Sequence, residues 1–193
     1  PYVHCHSIGW FPGRRGHADL VGMQKYDFAE SRPILERASA RETAARVALG
    51  RVATAFLQQA LGVSLLSHVV ELGGARAPAG SIPGAADLAA VDEDPVRCFD
   101  PAASAAMVSE VERAQKDGDT LGGVFEVVAH NVPVGLGSHA AWDTRLDGQL
   151  AQAIVSIQAV KGVEIGDAAF AASAPGTKVQ DTIHYDRSES VFM

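Results

Sequence analysis

Cysteine is scarce in this chain: there are two in 193 residues, Cys5 and Cys98. That is too few for a disulfide scaffold, and a reducing cytoplasm is the expected compartment. Long apolar runs are missing as well. Gln58 and Gln59 interrupt the richest stretch, so no segment reaches the roughly 18 residues of a membrane helix, and no secretory h-region is present. Positive charge is in deficit, with 16 Lys and Arg against 23 Asp and Glu and a net charge of −7. That balance argues against general affinity for nucleic acid or anionic membranes. Phosphate-cradling P-loops, G-x-S-x-G elbows and H-E-x-x-H zinc motifs are all absent, which removes the commonest nucleotide-hydrolysing, esterase and zinc-protease readings.

What remains is the composition of a folded globular protein, 47% hydrophobic and 20% charged. A domain of this size buries roughly 70% of the surface of its unfolded chain, so its core needs neither disulfides nor a structural metal. No linker-like break divides residues 1–193, and a single domain is expected. Charge is unevenly spread. Residues 1–51 hold eight basic against five acidic side chains, a segment suited to a small anion such as a phosphate or carboxylate, although charge also fluctuates along any sequence.

The first thirteen residues show no period. Ser39 followed by Glu42 forms a capping-box pattern, and Ala44, Val47, Ala48, Ala55, Phe56 and Ala60 recur at helical spacing up to a stop at Gly62. Val63 to Leu72 is expected as a strand. Ala75 to about Arg97, rich in Gly, Pro, Ala and Asp, is expected as a surface excursion with little regular structure. Asp100 and Pro101 open a helix to about Lys116, stopping near Gly118. Val124 to Val132 is a strand and Asp143 to Ile157 a third amphipathic helix. Helices and strands alternate loosely with long joins, which points to α+β rather than a doubly wound parallel sheet.

Several residues invite chemistry. Arg37 and Arg41 flank the helix start at Ser39, where free amides and the dipole already favour an anion and guanidinium groups add bidentate donors. The plain alternative pairs Arg41 with Glu36 or Glu42. His17, between the Arg14 and Arg15 pair and Asp19, sits among charges that tune a proton near neutral pH, or is an ordinary structural histidine. His4, Cys5 and His6 are too close in sequence to converge on one ion, so no metal site is expected. Gly135-Leu136-Gly137-Ser138-His139-Ala140 fits a loose dinucleotide fingerprint, but Pro133 precedes it and no second-strand acid is placed for a ribose, so it is read as a turn.

Taken together these segments resemble chorismate synthase. The carriers are Gly16-His17-Ala18-Asp19 with Gln24-Lys25-Tyr26; the run from Glu36 through Ser39-Ala40-Arg41-Glu42-Thr43 to Val47; and Lys116-Asp117-Gly118-Asp119-Thr120-Leu121-Gly122-Gly123. Pro133-Val134-Gly135-Leu136-Gly137, Leu146-Asp147 and Ser156-Ile157-Gln158-Ala159-Val160-Lys161-Gly162-Val163-Glu164-Ile165-Gly166-Asp167 complete them. The resemblance runs from about Arg14 to about Asp181, with 1–13 and 182–193 as non-matching ends. Arg15 stands where a proline is usual and Ala168 where a glycine is usual.

The resemblance implies a β-α-β sandwich, a helical core between antiparallel sheets, assembled as a homotetramer. It implies a lyase of the shikimate pathway that converts 5-enolpyruvylshikimate 3-phosphate to chorismate and phosphate with reduced FMN and no net redox change, in a family also associated with NADP. On that ground His17 is expected as an active-site histidine that protonates the reduced flavin. Arg37, Ala38, Ser39, Gln158 and Ala159 are expected to contact FMN, and Arg14 and Arg41 to bind substrate. The family's opening and closing segments have no counterpart in the sequence, so the alternative is an inactive fragment that folds or oligomerises without catalysis.

Overall fold

The structure is a computed structural model that describes residues 17–180, 182–188 and 190–192. It divides into two compact units, residues 46–134 and a second made of residues 1–45 with 135–193. The mixture of helices with small antiparallel sheets makes the chain α+β. No helix among the described residues is long and apolar enough to cross a membrane.

In the chain's N-terminal region two short helices, α1 (Asp19–Tyr26) and α2 (Arg32–Ala38), precede the long helix expected after Ser39. Pro33 in the first turn of α2 and Arg37 in its last are the start and stop signals of a helix. The two helices meet through Gly22, which is buried against Ile34. A Cβ at that glycine would lie 2.5 Å from Ile34 Cγ2. Glycine is therefore what lets α1 approach α2 so closely.

The start of the long helix departs from a simple capping box. Ser39 Oγ accepts from the Arg41 amide at 3.3 Å, and Ala40–Glu42 makes a 3-10 turn before α3 (Thr43–Leu61) begins. A 3-10 turn is a common way for a helix to tighten its first turn. Gly62 ends α3 at φ +71°, in the left-handed region that an L side chain enters only with strain.

Residues 46–134 are organised around β1 (Ser64–Leu72). It pairs antiparallel with β2 (Ala75–Arg76) on one side and β3 (Gly123–His130) on the other, in the order β2-β1-β3. A register shift between Val69 and Glu71 leaves Val70 out of the β3 ladder, and its carbonyl accepts instead from the Ala77 amide at 2.8 Å. The stretch from Ala75 to Arg97 is more ordered than its composition suggests. It contains β2, a 3-10 turn at Ala85–Asp87 and the helix α4 (Leu88–Glu93).

Tertiary contacts explain that order. The Arg97 carbonyl accepts from the Val69 amide at 2.9 Å, and its guanidinium donates to the Ser67 carbonyl at 2.9 Å and pairs with Asp92. Asp94 then staples the loop. Oδ1 accepts from the Val96 and Cys98 amides at 3.0 and 2.9 Å, and Oδ2 from Ser104 Oγ at 2.6 Å. Burial raises the Asp94 carboxyl, but the bonds from Ser104, Cys98, Val96 and Arg97 outweigh it and hold it below its ordinary value. Burial, with Asp94 and Asp100 nearby, pushes the Cys98 thiol up, which marks an inert core thiol.

Helix α5 (Pro101–Asp117) follows its sequence signals closely. Asp100 Oδ1 accepts from the Ala103 amide at 2.7 Å, Pro101 opens the first turn, and Gly118 closes the helix at φ +67°. Met107, Cys98 and Ala103 form the core of this unit with Val69, Leu72, Ala75, Ala77 and Val96 packed around them. Met107 is fully buried, which stabilises the fold by about 1.5–3 kcal/mol relative to exposure. On β1, His68 is also buried and lies directly opposite Glu126 of β3, with Nε2 3.2 Å from Glu126 Oε2.

In the other unit, a 3-10 turn at Trp142–Thr144 precedes α6 (Leu146–Val155), which is shorter at both ends than the expected helix from Asp143 to Ile157. Arg145 is extended, separating the 3-10 turn from the helix, and beyond Val155 the chain turns instead of continuing. A short helix α7 (Ala168–Ser173), a 3-10 turn at Gly176–Lys178 and a hairpin of two two-residue strands, β4 (Tyr185–Asp186) with β5 (Val191–Phe192), follow.

Candidate functional site

The expected site residues fall in the unit made of residues 1–45 and 135–193. Arg14, expected to bind substrate, lies outside the described residues, as do His4, Cys5, His6 and Arg15. His17 is exposed just ahead of α1. Arg37 and Ala38 end α2 and are exposed, and Ser39 follows in an extended conformation, half-buried. Arg41 is exposed within the 3-10 turn rather than in a first α-helical turn. Glu36, a candidate partner for Arg41, lies 3.7 Å from Arg32 instead.

Gln158 and Ala159 occupy a tight turn after α6. The Val160 amide donates to the Ile157 carbonyl at 3.2 Å, which makes Gln158 and Ala159 the two central residues. Ala159 has φ +70°, a left-handed conformation that costs an alanine on the order of 1–2 kcal/mol. Such strain persists only where the surroundings fix it, and it clusters at functional sites.

One hydrogen bond draws the two stretches together. Gln158 Nε2 donates to Glu42 Oε2 at 2.8 Å, joining residues 116 positions apart. The Arg37-Ala38-Ser39 turn and the Gln158-Ala159 turn are thereby tied through Glu42, three residues beyond Ser39. Gln158 Oε1 is withdrawn from solvent and meets no donor among the described residues. Sequence reasoning assigned Glu42 to helix capping and missed this contact, because nothing in local spacing announces a partner 116 residues away.

Beside the same turn is a cavity of about 400 Å³ lined by Tyr26, Phe28, Pro33, Ile34, Arg37 and Ala38. The Tyr26 and Phe28 rings are tilted with centroids 5.8 Å apart, and Lys25 Nζ stands 5.1 Å over the Tyr26 ring. Apolar walls with one guanidinium at the edge suit a flat, partly anionic ligand. Tyr26 and Phe28 were also missed; two aromatics spaced two apart just before the α2 start signals were the trace they left in the sequence.

Other sequence features resolve more plainly. The glycine run at Gly135 passes through turns, with Gly135 at φ +91°, and the first helical elements after it are the 3-10 turn at Trp142–Thr144 and α6 at Leu146. A dinucleotide fingerprint needs a helix N-terminus directly behind the glycines, and that context is missing. Asp147, in the first turn of α6, is held below its ordinary value by the Gly148 amide and by Arg145, 3.1 Å away. Among the described residues no three His, Cys, Asp or Glu side chains cluster to hold a metal ion.

A model of the chorismate synthase family matches residues 10–191. The chorismate synthase of Nocardioides sp. is 62% identical over 170 residues, 88% of this chain and 43% of that protein. That of Thermobifida fusca is 62% identical over 171 residues, 88% of this chain and 44% of that protein. A crystal structure of chorismate synthase superposes with a TM-score of 0.82 at 41% identity, covering 91% of this chain and 55% of the other. The chain spans less than half the length of these curated relatives. With a family match over nearly its whole length, the chain belongs to the chorismate synthase family.

Proposed function

We propose that this chain carries part of the flavin and phosphate-ester site of a lyase that converts 5-enolpyruvylshikimate 3-phosphate to chorismate and phosphate in aromatic amino acid biosynthesis. The observation that carries the proposal is the Gln158 to Glu42 hydrogen bond. It ties together the two stretches that the family resemblance assigns to FMN, and leaves beside them a buried carbonyl that meets no donor among the described residues and a cavity with aromatic walls. These features fit a flavin: a flat ring system with N–H and C=O groups along one edge and a phosphate on its tail.

In this proposal Arg37, Ala38, Ser39, Gln158 and Ala159 hold FMN, and Arg14 and Arg41 hold the substrate's anionic groups. Reduced FMN supplies electron density that eases departure of the allylic phosphate. The elimination breaks the C3–O bond, releases phosphate, removes a hydrogen from C6 and is redox-neutral. Arg41, with Arg14, contributes fixed positive charge where that phosphate carries its negative charge. His17, exposed ahead of α1, holds a proton for delivery to the reduced cofactor. The wider expectations belong to the same proposal: a cytoplasmic protein, a homotetramer, a link to NADP and one family domain spanning residues 1–193.

Fluorescence titration of FMN tests it. Arg37→Ala and Ser39→Ala weaken binding, each by about tenfold for the loss of a charge-assisted or buried hydrogen bond, while Lys178→Ala leaves it unchanged. Equal effects from all three would sink the proposal. The alternative is a chain that folds or oligomerises without catalysis. An anaerobic assay for chorismate with the flavin-loaded chain separates the two.

A further inference from the structure

Gln158 holds its side-chain amide in one orientation, and Glu42 is the reason. A carboxylate only accepts, so the NH2 end of the amide must face Glu42 Oε2, 2.8 Å away, and the carbonyl must face elsewhere. Flipping the amide would bring two acceptor oxygens to hydrogen-bond distance. The carbonyl Oε1 so fixed is buried and meets no donor among the described residues. Buried amide oxygens without a donor are rare, and each calls for a partner that the protein alone does not supply. The backbone is fixed as well, because Gln158 sits in a tight turn beside the left-handed Ala159.

We propose that Glu42 is a positioning residue that locks Gln158 with its carbonyl presented to a ligand N–H, and that this N–H is the imide of the flavin ring. The inference rests on the flavin site proposed above. An oxidised isoalloxazine ring carries a single N–H, at N3, between two carbonyl acceptors. A hydroxyl of the ribityl chain both donates and accepts, and would tolerate either end of an amide. Only a pure donor makes the orientation matter, since a flipped amide would set N–H against N–H. Burial of the oxygen also keeps water from competing for it, which raises the value of a correctly placed donor.

The experiment uses the full chain, its Glu42→Gln variant, and FMN labelled with 15N at N3. The substitution keeps shape and size but offers an amide that can donate to Gln158 Oε1, so the lock is lost. In the wild-type complex the N3 imide proton gives a resonance protected from exchange. In E42Q that protection disappears and the dissociation constant for FMN rises about tenfold, the expected effect of one mismatched buried hydrogen bond. If E42Q weakens FMN binding while the imide proton stays protected, Glu42 merely supports the fold and the proposal falls. It falls equally if neither quantity changes. Should E42Q fail to fold, Gln158→Met removes the acceptor at nearly constant shape; loss of protection is then expected, and retained protection overturns the claim. FMN that binds the wild type with an unprotected imide sinks the positioning role alone, whereas a folded wild type that binds no FMN sinks the flavin site and this inference with it.

Discussion

Ser104 Oγ donates to Asp94 Oδ2 at 2.6 Å, and this bond anchors the loop between α4 and α5 to the first turn of α5. With the Val96 and Cys98 amides on Oδ1, one carboxylate organises the whole crossing. Removing it by Asp94→Ala strands a hydroxyl and two amides, at a cost of about 1–3 kcal/mol. The same carboxyl gives the fold an acid sensitivity. Because its folded-state value lies below the ordinary one, its contribution is complete above the ordinary carboxylate value and is lost as pH falls through the folded value. Asp94→Asn keeps acceptor and donor capacity but cannot titrate. Urea melts from pH 7 down to pH 3 are expected to show a shallower acid loss in D94N than in the wild type, and parallel curves would refute the assignment.

Gly22 and Ile34 set how closely α1 approaches α2. Gly22→Ala overpacks this contact and is expected to destabilise the chain by about 1–3 kcal/mol. Ile34→Ala opens the space the new methyl needs. The double variant is therefore more stable than the two single losses predict, and simple additivity in denaturant melts would show that the two side chains do not meet.

Gly118 and Gly123 lie close in sequence and are glycine for different reasons. At Gly118 the constraint is φ +67° with open space around it, so alanine costs about 1 kcal/mol. At Gly123 a Cβ would sit 2.7 Å from the Glu71 carbonyl oxygen, a backbone atom that cannot move without breaking the β1 to β3 ladder. Gly123→Ala is expected to cost about 3 kcal/mol. Thermal melts that rank G118A as the more damaging would overturn this account.

His68 is buried with Nδ1 lacking a partner among the described residues, while Glu126 opposite it is half-exposed. Glu126→Ala takes from Nε2 its Glu126 contact in the interior and is expected to cost about 1–3 kcal/mol. His68→Leu removes the polar ring altogether and is expected to stay within about 1 kcal/mol of the wild type, since replacing a poorly satisfied polar group with an apolar one of similar size is nearly neutral. A larger loss in H68L than in E126A would contradict it.

Much of the fold was legible wherever its cause was local. The α5 boundaries came from Asp100, Pro101 and Gly118, and the end of α3 from Gly62, because caps and left-handed stops are short-range chemistry. The strand β1 came from an apolar run closed by Gly73 and Gly74. What escaped was order imposed from a distance. The segment after Ala75 reads as irregular because its hydrogen bonds run to Val69, Ser67 and Ser104 rather than to its own neighbours. Helices α1 and α2 are short enough that their periodicity carries little signal, and their contact rests on one glycine.

By itself, the sequence determined the family, the α+β class, and which residues stand in the two motif stretches around Ser39 and Gln158. Those are properties of residue type and order. Only the tertiary structure decided that Glu42 reaches Gln158 and that Arg37 borders a cavity walled by Tyr26 and Phe28. The reason is physical: a capping motif satisfies amides within a few residues, but the direction in which a carboxylate points is set by whichever donor the folded chain brings within 3 Å of it.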